Sequence, residues 1–245
     1  CRYMIPIRKA TEPRGLKQAK KQNRNLRYET FADHADYSEA FKELRISLLK
    51  EQGFICCYCQ RNITFKDNDT GKIQMKTEHF IPKNGPECDE TKDLDYDNLL
   101  AACLGNSDSD KPNHCDSSKD QYRLQVLPNP AIYRHLNYDD YLTYRVKQKE
   151  REVIVVPTNP DNEELRKDIE ERLNLNEQNL MNARYNIWEK AWKRIEKAGK
   201  INIHQVKEVL EEYRFDTKSQ ERSLKPFCGF IIQWYQKRFK NELTS

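Results

Sequence analysis

Four cysteines and one acid–histidine pair carry the chemistry this sequence is readable for. Cys56 and Cys59 stand in Cys56-Cys57-Tyr58-Cys59, a C-x-x-C spacing that lets two thiolates from one tight turn reach the same tetrahedral zinc. Cys103 and Cys115 supply a second pair downstream. Four thiolates close a structural zinc site and leave no coordination position for substrate. Cys57 chelates less easily with Cys59, because a single intervening residue directs the chain differently. His114, beside Cys115, is the rival fourth ligand, since imidazole also suits zinc. The competing reading is a set of buried free cysteines.

Between the two cysteine pairs lies Lys76-Thr-Glu-His-Phe-Ile-Pro82, a strand-like stretch ended by proline. Its Glu78 is a hard oxygen ligand for Mg²⁺ or Mn²⁺. Its His79, as a neutral imidazole, can take the proton of an attacking water. Phosphodiester hydrolysis needs both tasks, because a nucleophile must be generated while charge on the phosphate oxygens is neutralised. A Glu-His dipeptide alone is commonplace, and its weight here comes from the cysteine frame around it. Asn98, in Leu94-Asp-Tyr-Asp-Asn98-Leu-Leu-Ala-Ala-Cys103, offers two donors and an acceptor that can brace the histidine loop. It is equally a candidate N-cap for the turn from Leu99 to Cys103. In His114-Cys-Asp-Ser-Ser-Lys119, Asp116 is a second carboxylate for the cation and Lys119 a candidate phosphate contact. Whether Asp116 or His114 joins Glu78 at the cation stays open at this level.

In this order the residues resemble the HNH, or ββα-metal, nucleases. That family runs C-x-x-C, then an acid-His ahead of a proline, then Asn-Leu before a Cys, then a Cys with His or Asn beside it and a nearby Lys. The matching positions are Cys56 and Cys59, Glu78-His79 with Pro82, Asn98-Leu99, Cys103, and Cys115 with Lys119. Asp116 departs from the pattern, standing where the family usually has His or Asn. The resemblance implies that His79 deprotonates water for in-line attack. A divalent cation on Glu78 and Asp116 would stabilise the leaving oxygen, Asn98 would orient the histidine loop, and zinc would only fold the module. More narrowly, Glu51 to Cys56, Glu78 to Lys83 and Ile169 to Arg184 look like the PtuB family, the HNH subunit of Septu-type and retron-associated antiphage systems. That likeness spans most of residues 35 to 190. It implies an ABC-type ATPase partner, PtuA, a role in phage defence and, in the retron-associated systems, a retron reverse transcriptase with its DNA–RNA product.

These side chains need elements to hold them. The fold class expected is α+β, mainly α: a ββα-metal HNH core with a zinc knuckle, then a small β hairpin and a C-terminal helical region. Residues 1 to 30 lack hydrophobic periodicity, contain Pro6, Pro13 and Gly15, and read as an extended basic arm that runs to residue 34. Ala40, Phe41, Leu44, Leu48 and Leu49 recur at helical spacing from Ser38, a candidate cap, to Gln52, with Gly53 as the stop. That helix opens the nuclease core, residues 35 to 126. Leu127-Pro-Asn-Pro130 punctuates the chain and begins the third region, 127 to 245. There Tyr141 to Val156 reads as a hairpin. Helices are expected from Asn162, through a long stretch containing Leu180 to Ile195 and ended by Gly199, then over 203–214 and 219–241. Trp188, Trp192, Phe227, Phe230, Ile231, Trp234 and Tyr235 fall at helical spacings and read as core, with a protein interface as the alternative. His34, His135 and His204 read as ordinary, Cys88 as a loop thiol and Cys228 as core.

Composition narrows the class. The 245 residues are 33% charged with a mean hydropathy of -1.01, and no apolar run approaches the roughly 20 residues that cross a bilayer. No membrane association is expected. The basic N-terminus lacks an apolar signal core, so the expected location is the cytoplasm, where eight cysteines favour metal binding over disulfides. Cys1 leaves the native start open, with Met4 a candidate initiator. The net charge of +4 does not diagnose a nucleic-acid binder, but residues 1 to 27 hold nine Lys or Arg against Glu12 alone. The substrate expected is a nucleic acid, DNA or RNA undecided. Two other classes compete: a zinc knuckle that binds nucleic acid or protein without cutting, and a subunit that has lost catalysis.

Overall fold

The computed structural model describes residues 7–65, 73–132, 137–197, 199–214 and 223–244. Cys1, Met4, Pro6 and His135 lie outside them. The protein is mixed α and β, mostly helical, with small two-stranded sheets. No described helix is long and apolar enough to cross a membrane.

The described part of the N-terminal segment carries two helices and is not an extended arm. Helix α1 (Arg14–Gln22) packs against α3 (Ser38–Glu51), and α2 (Tyr28–Asp33) follows it. Gly15, taken from sequence as a breaker, is what allows this: a Cβ there would lie 2.6 Å from the Cβ of Ala40. Its freed N–H donates to Glu43 at 2.8 Å, and Pro13 sits just before the helix, where a missing N–H costs nothing. The buried face of α1 is only Leu16 and Ala19, too narrow to register as periodicity. Part of the basic charge is consumed internally. Lys9 donates to the Leu99 carbonyl at 2.7 Å and pairs with Glu51, Lys20 pairs with Glu12, and Arg27 holds Asp93 and Glu90. Arg14, Lys17, Lys21 and Arg24 stay exposed.

Helix α3 buries Leu44, Arg45, Leu48 and Leu49, and Gly53 follows it at φ +61°, a left-handed stop. Ser38 is its first residue and Tyr37 holds the cap position, without a side-chain bond. Strands β1 (Lys76–His79) and β2 (Leu99–Ala102) pair antiparallel, with Glu78 opposite Leu100 and His79 opposite Leu99. The single turn α4 (Asp116–Lys119) follows. Strands β3 (Leu142–Lys147) and β4 (Glu152–Pro157) form the expected hairpin.

The core does not divide at Leu127. One apolar cluster runs from Ile7 to Leu180, and Asp168, fully buried, accepts from three successive N–H groups of Gln125, Val126 and Leu127 at 2.8–3.0 Å. That carboxylate lies just beyond α5 (Glu163–Lys167) and staples the predicted boundary shut. A second cluster forms from α6 (Gln178–Ile195), α7 (Ile203–Tyr213), α8 (Cys228–Arg238) and α9 (Lys240–Thr244). Helix α6 stops at Ile195, before Gly199, because the chain turns into a two-residue hairpin of β5 (Glu196–Lys197) and β6 (Lys200–Ile201). The helix expected from 219 begins at Cys228; residues 215–222 lie outside the described residues, and Phe227, in the left-handed region, precedes it. The predicted aromatic core is present: Trp188 stacks on Trp192 at 5.6 Å and meets Trp234 edge-on at 5.4 Å. Cys228 is buried, Cys88 half-buried, and His34 and His204 exposed.

A four-thiol cluster beside an acidic cleft

The knuckle is built by backbone first. Cys56 N–H donates to the Arg61 carbonyl and Gln60 N–H to the Cys56 carbonyl, with Gln60 at φ +62° closing the turn. The Gln52 side chain bonds Ala101 on both its N–H and its C=O, and Cys57 N–H also reaches Ala101, so the turn is fixed to β2. Cys103 lies directly after that strand, and Cys115 starts the α4 turn with its N–H on the Leu173 carbonyl at 2.7 Å. The result is a buried cluster in which the sulfurs of Cys56, Cys59, Cys103 and Cys115 lie within 4.8 Å of one another. Cys59 and Cys103 are 3.8 Å apart. Four thiolates at tetrahedral zinc bond lengths stand about 3.8 Å apart, so the cluster fits a metal such as zinc.

His114 does not displace a cysteine. It is fully buried, with Nδ1 3.2 Å from the sulfur of Cys115 and 3.9 Å from that of Cys103. Nor does it line the cleft that holds Glu78 and His79. Of the two residues left open from sequence as partners for Glu78, Asp116 is the one that meets it.

That cleft, about 580 Å³, is lined by Glu78, His79 and Asp116 among others. Glu78 is 1% exposed, and its Oε1 accepts from the Tyr58 hydroxyl at 2.6 Å and pairs with Lys119 at 2.8 Å. Burial pushes the Glu78 carboxyl well above the ordinary carboxylate range; Lys119 pulls it back, and the adjacent Asp116 adds to the rise. Lys119, the candidate phosphate contact from sequence, is turned inward in this structure. It is 1% exposed, does not line the cleft, and spends its ammonium on Glu78 and on the His79 carbonyl at 2.9 Å. Asp116 pairs across the cleft with Lys76 at 3.5 Å.

His79 Nε2 lies 2.9 Å from the Asp93 carbonyl oxygen. A carbonyl only accepts, so Nε2 carries the hydrogen and Nδ1 is the bare, basic nitrogen. Burial pulls the imidazole pKa down to about 4, which keeps the ring neutral near pH 7. The Tyr28 ring meets it edge-on at 4.5 Å. Asn98 braces the chain just beyond: its Oδ1 accepts from Ile81 N–H at 2.7 Å and its Nδ2 donates to the Ile81 and Lys92 carbonyls at 2.9 Å. The alternative role, an N-cap, fails because Leu99 to Ala102 is a strand.

Tyr58, Asp93 and Tyr28 were missed from sequence. Tyr58 had a local signal, sitting inside the C-x-x-C. Asp93 and Tyr28 had none, since each acts through contacts remote in the chain. No protein-family model matches the sequence, and no curated protein matches it.

Proposed function

We propose that this protein is a metal-dependent endonuclease of the HNH type, hydrolysing nucleic-acid phosphodiesters in the cleft beside the four-thiol cluster. The observation that carries the reading is the meeting of Glu78, His79 and Asp116 in one cleft, with a neutral imidazole whose basic nitrogen is set by the Asp93 carbonyl. The order of β1, β2 and α4 fits the ββα arrangement of that family. A Mg²⁺ or Mn²⁺ ion held by Glu78 and Asp116 would supply charge neutralisation at the phosphate oxygens. The fit rests on two adjacent carboxylates whose mutual repulsion a cation relieves.

Within that frame His79 Nδ1 accepts the proton of the attacking water, and the Asp93 carbonyl fixes the tautomer that makes this possible. Asn98 holds the backbone leaving β1, so the imidazole does not swing with Ile81. Lys119 and Tyr58 fix the carboxylate of Glu78 from behind. Zinc at Cys56, Cys59, Cys103 and Cys115 folds the module and stays out of the chemistry. The resemblance to the PtuB family extends the proposal to an antiphage effector subunit working with an ABC-type ATPase.

A second reading, a knuckle that binds without cutting, draws on the closure of Glu78, whose Oε1 already holds two partners. The purified chain, stripped of loosely held cations and offered single-stranded DNA, duplex DNA and tRNA, separates the two. Cleavage that returns with Mg²⁺ or Mn²⁺ and is lost in Asp116→Ala is expected. Binding without cleavage under any cation favours the second reading.

A further inference from the structure

Beyond Glu78 and His79 the same cleft continues along α2 and α3, where Tyr28, Phe41 and Arg45 line it. Arg45 is a buried cation, 8% exposed, on a helix face otherwise made of leucines. Its Nη2 donates to the Met75 carbonyl at 2.6 Å, while its Nε is buried with no hydrogen-bond partner among the described residues. The guanidinium lies over the rings of Phe41 at 5.5 Å and Phe65 at 5.1 Å. No described carboxylate pairs with it, and Asp33 and Asp120, which also line the cleft, form no ion pair with it. A charge this buried is costly unless an anion answers it, and a guanidinium presents a fork that matches phosphate oxygens.

Its neighbours narrow the anion. Tyr28 and Phe41 stand edge to face at 5.9 Å, and Tyr28 touches His79, so an aromatic wall runs from the imidazole to the guanidinium. Aromatic faces beside a cation are the pattern that accepts a base and its phosphate together in single-stranded nucleic acid. We propose that Arg45 and the Tyr28–Phe41 wall form a subsite for a backbone phosphate of the nucleic acid next to the phosphate placed at Glu78 and His79. This rests on the nuclease reading and adds to it a polymeric, single-stranded path through the cleft.

The test uses the full chain with zinc bound, carrying His79→Ala so that substrate survives, and a labelled single-stranded oligonucleotide titrated at several salt concentrations. Arg45→Gln is expected to weaken binding about tenfold and to reduce the slope of log K against log salt by about 0.7, the share of one phosphate contact. Arg45→Lys, which keeps the charge, is expected to keep the slope. Because Arg45→Gln also loses the bond to Met75 and can fail to fold, the Arg45 Nε–H resonance of the otherwise unchanged protein is followed in parallel, and it is expected to move as oligonucleotide is added. An unmoved Nε–H signal overturns the subsite, as does an unaltered slope in folded Arg45→Gln. Thymidine 5′-monophosphate binding as tightly as the oligonucleotide overturns it too, since the site would then take a free nucleotide. If the wild-type chain cuts the oligonucleotide while Arg45 stays silent, only the subsite falls; if it neither binds nor cuts, the nuclease reading falls with it.

Discussion

The two large apolar clusters among the described residues are held together by different means. The first, from Ile7 to Leu180, has polar and charged groups threaded through it: Lys9, Arg45, Glu78, His79, Asn98, Lys119 and Asp168 are all buried, most of them bonded to a named partner, beside four thiols that fit one metal. The second, from α6 to α9, is aromatic: Trp188, Trp192, Trp234, Tyr235 and Phe239 pack ring on ring. Buried polar groups specify geometry through their hydrogen bonds at a cost in desolvation, whereas packed rings contribute mainly apolar burial, in stacked and edge-on pairs. Chemistry needs the first kind of core. Arg184, in α6, joins the two by donating to the carbonyls of Leu175 and Val153.

Removing the zinc proposed at the four thiols is the harshest way to break this contrast. Chelation, or Cys103→Ser, should withdraw on the order of 10 kcal/mol of folding free energy from the first core. All three tryptophans lie in the second. Amide protection in β1 and β2 is therefore expected to vanish while tryptophan fluorescence stays native. Loss of both signals together would make the clusters one cooperative unit. The converse cut is Trp188→Ala, expected to cost about 4 kcal/mol from lost burial and a cavity. Zinc content should stay at one ion per chain by elemental analysis; a fall would show that the aromatic core supports the knuckle.

Asn98→Ala sharpens the contrast at a single side chain. It strands the Ile81 N–H and the carbonyls of Ile81 and Lys92, so a cost of about 3 kcal/mol in urea unfolding is expected. Cleavage should fall further than stability explains. The smallest effect belongs to the surface of the second core, where Glu212 pairs with Arg194 and Lys225 and its carboxyl is held down at about 2. A depressed folded value means the stabilisation is present above the ordinary value near 4.5 and is lost as pH falls toward 2. Glu212→Gln should cost less than about 1 kcal/mol at pH 6, the group being solvent-screened, and only a small remainder of that at pH 2. An equal cost at both pH values would remove the ion pair from the account.

What could be read from the sequence follows the same division. The cysteine frame was legible because a metal site needs fixed residue types at short spacings, and the aromatic helices because α6 and α8 keep a helical period. The N-terminal helices were not, since α1 buries only Leu16 and Ala19 and its Gly15 serves a close approach that no local pattern announces. The continuity of the core past Leu127 was invisible for a similar reason: Asp168 reads as one more acid in a charged run until it closes on three distant N–H groups. Glu78 and His79, singled out in the sequence by their position inside the cysteine frame, line one cleft with Asp116. Lys119, read from sequence as a candidate phosphate contact, is buried against Glu78, and only packing reveals that pairing.

The central claim is that His79 acts on water while the thiol cluster only holds the fold. His79→Ala, checked for undiminished zinc and assayed with Mg²⁺ or Mn²⁺ against the nucleic acid the wild-type chain cuts, tests it most directly. Cleavage lost with zinc and folding intact is the predicted result; undiminished cleavage would contradict the account.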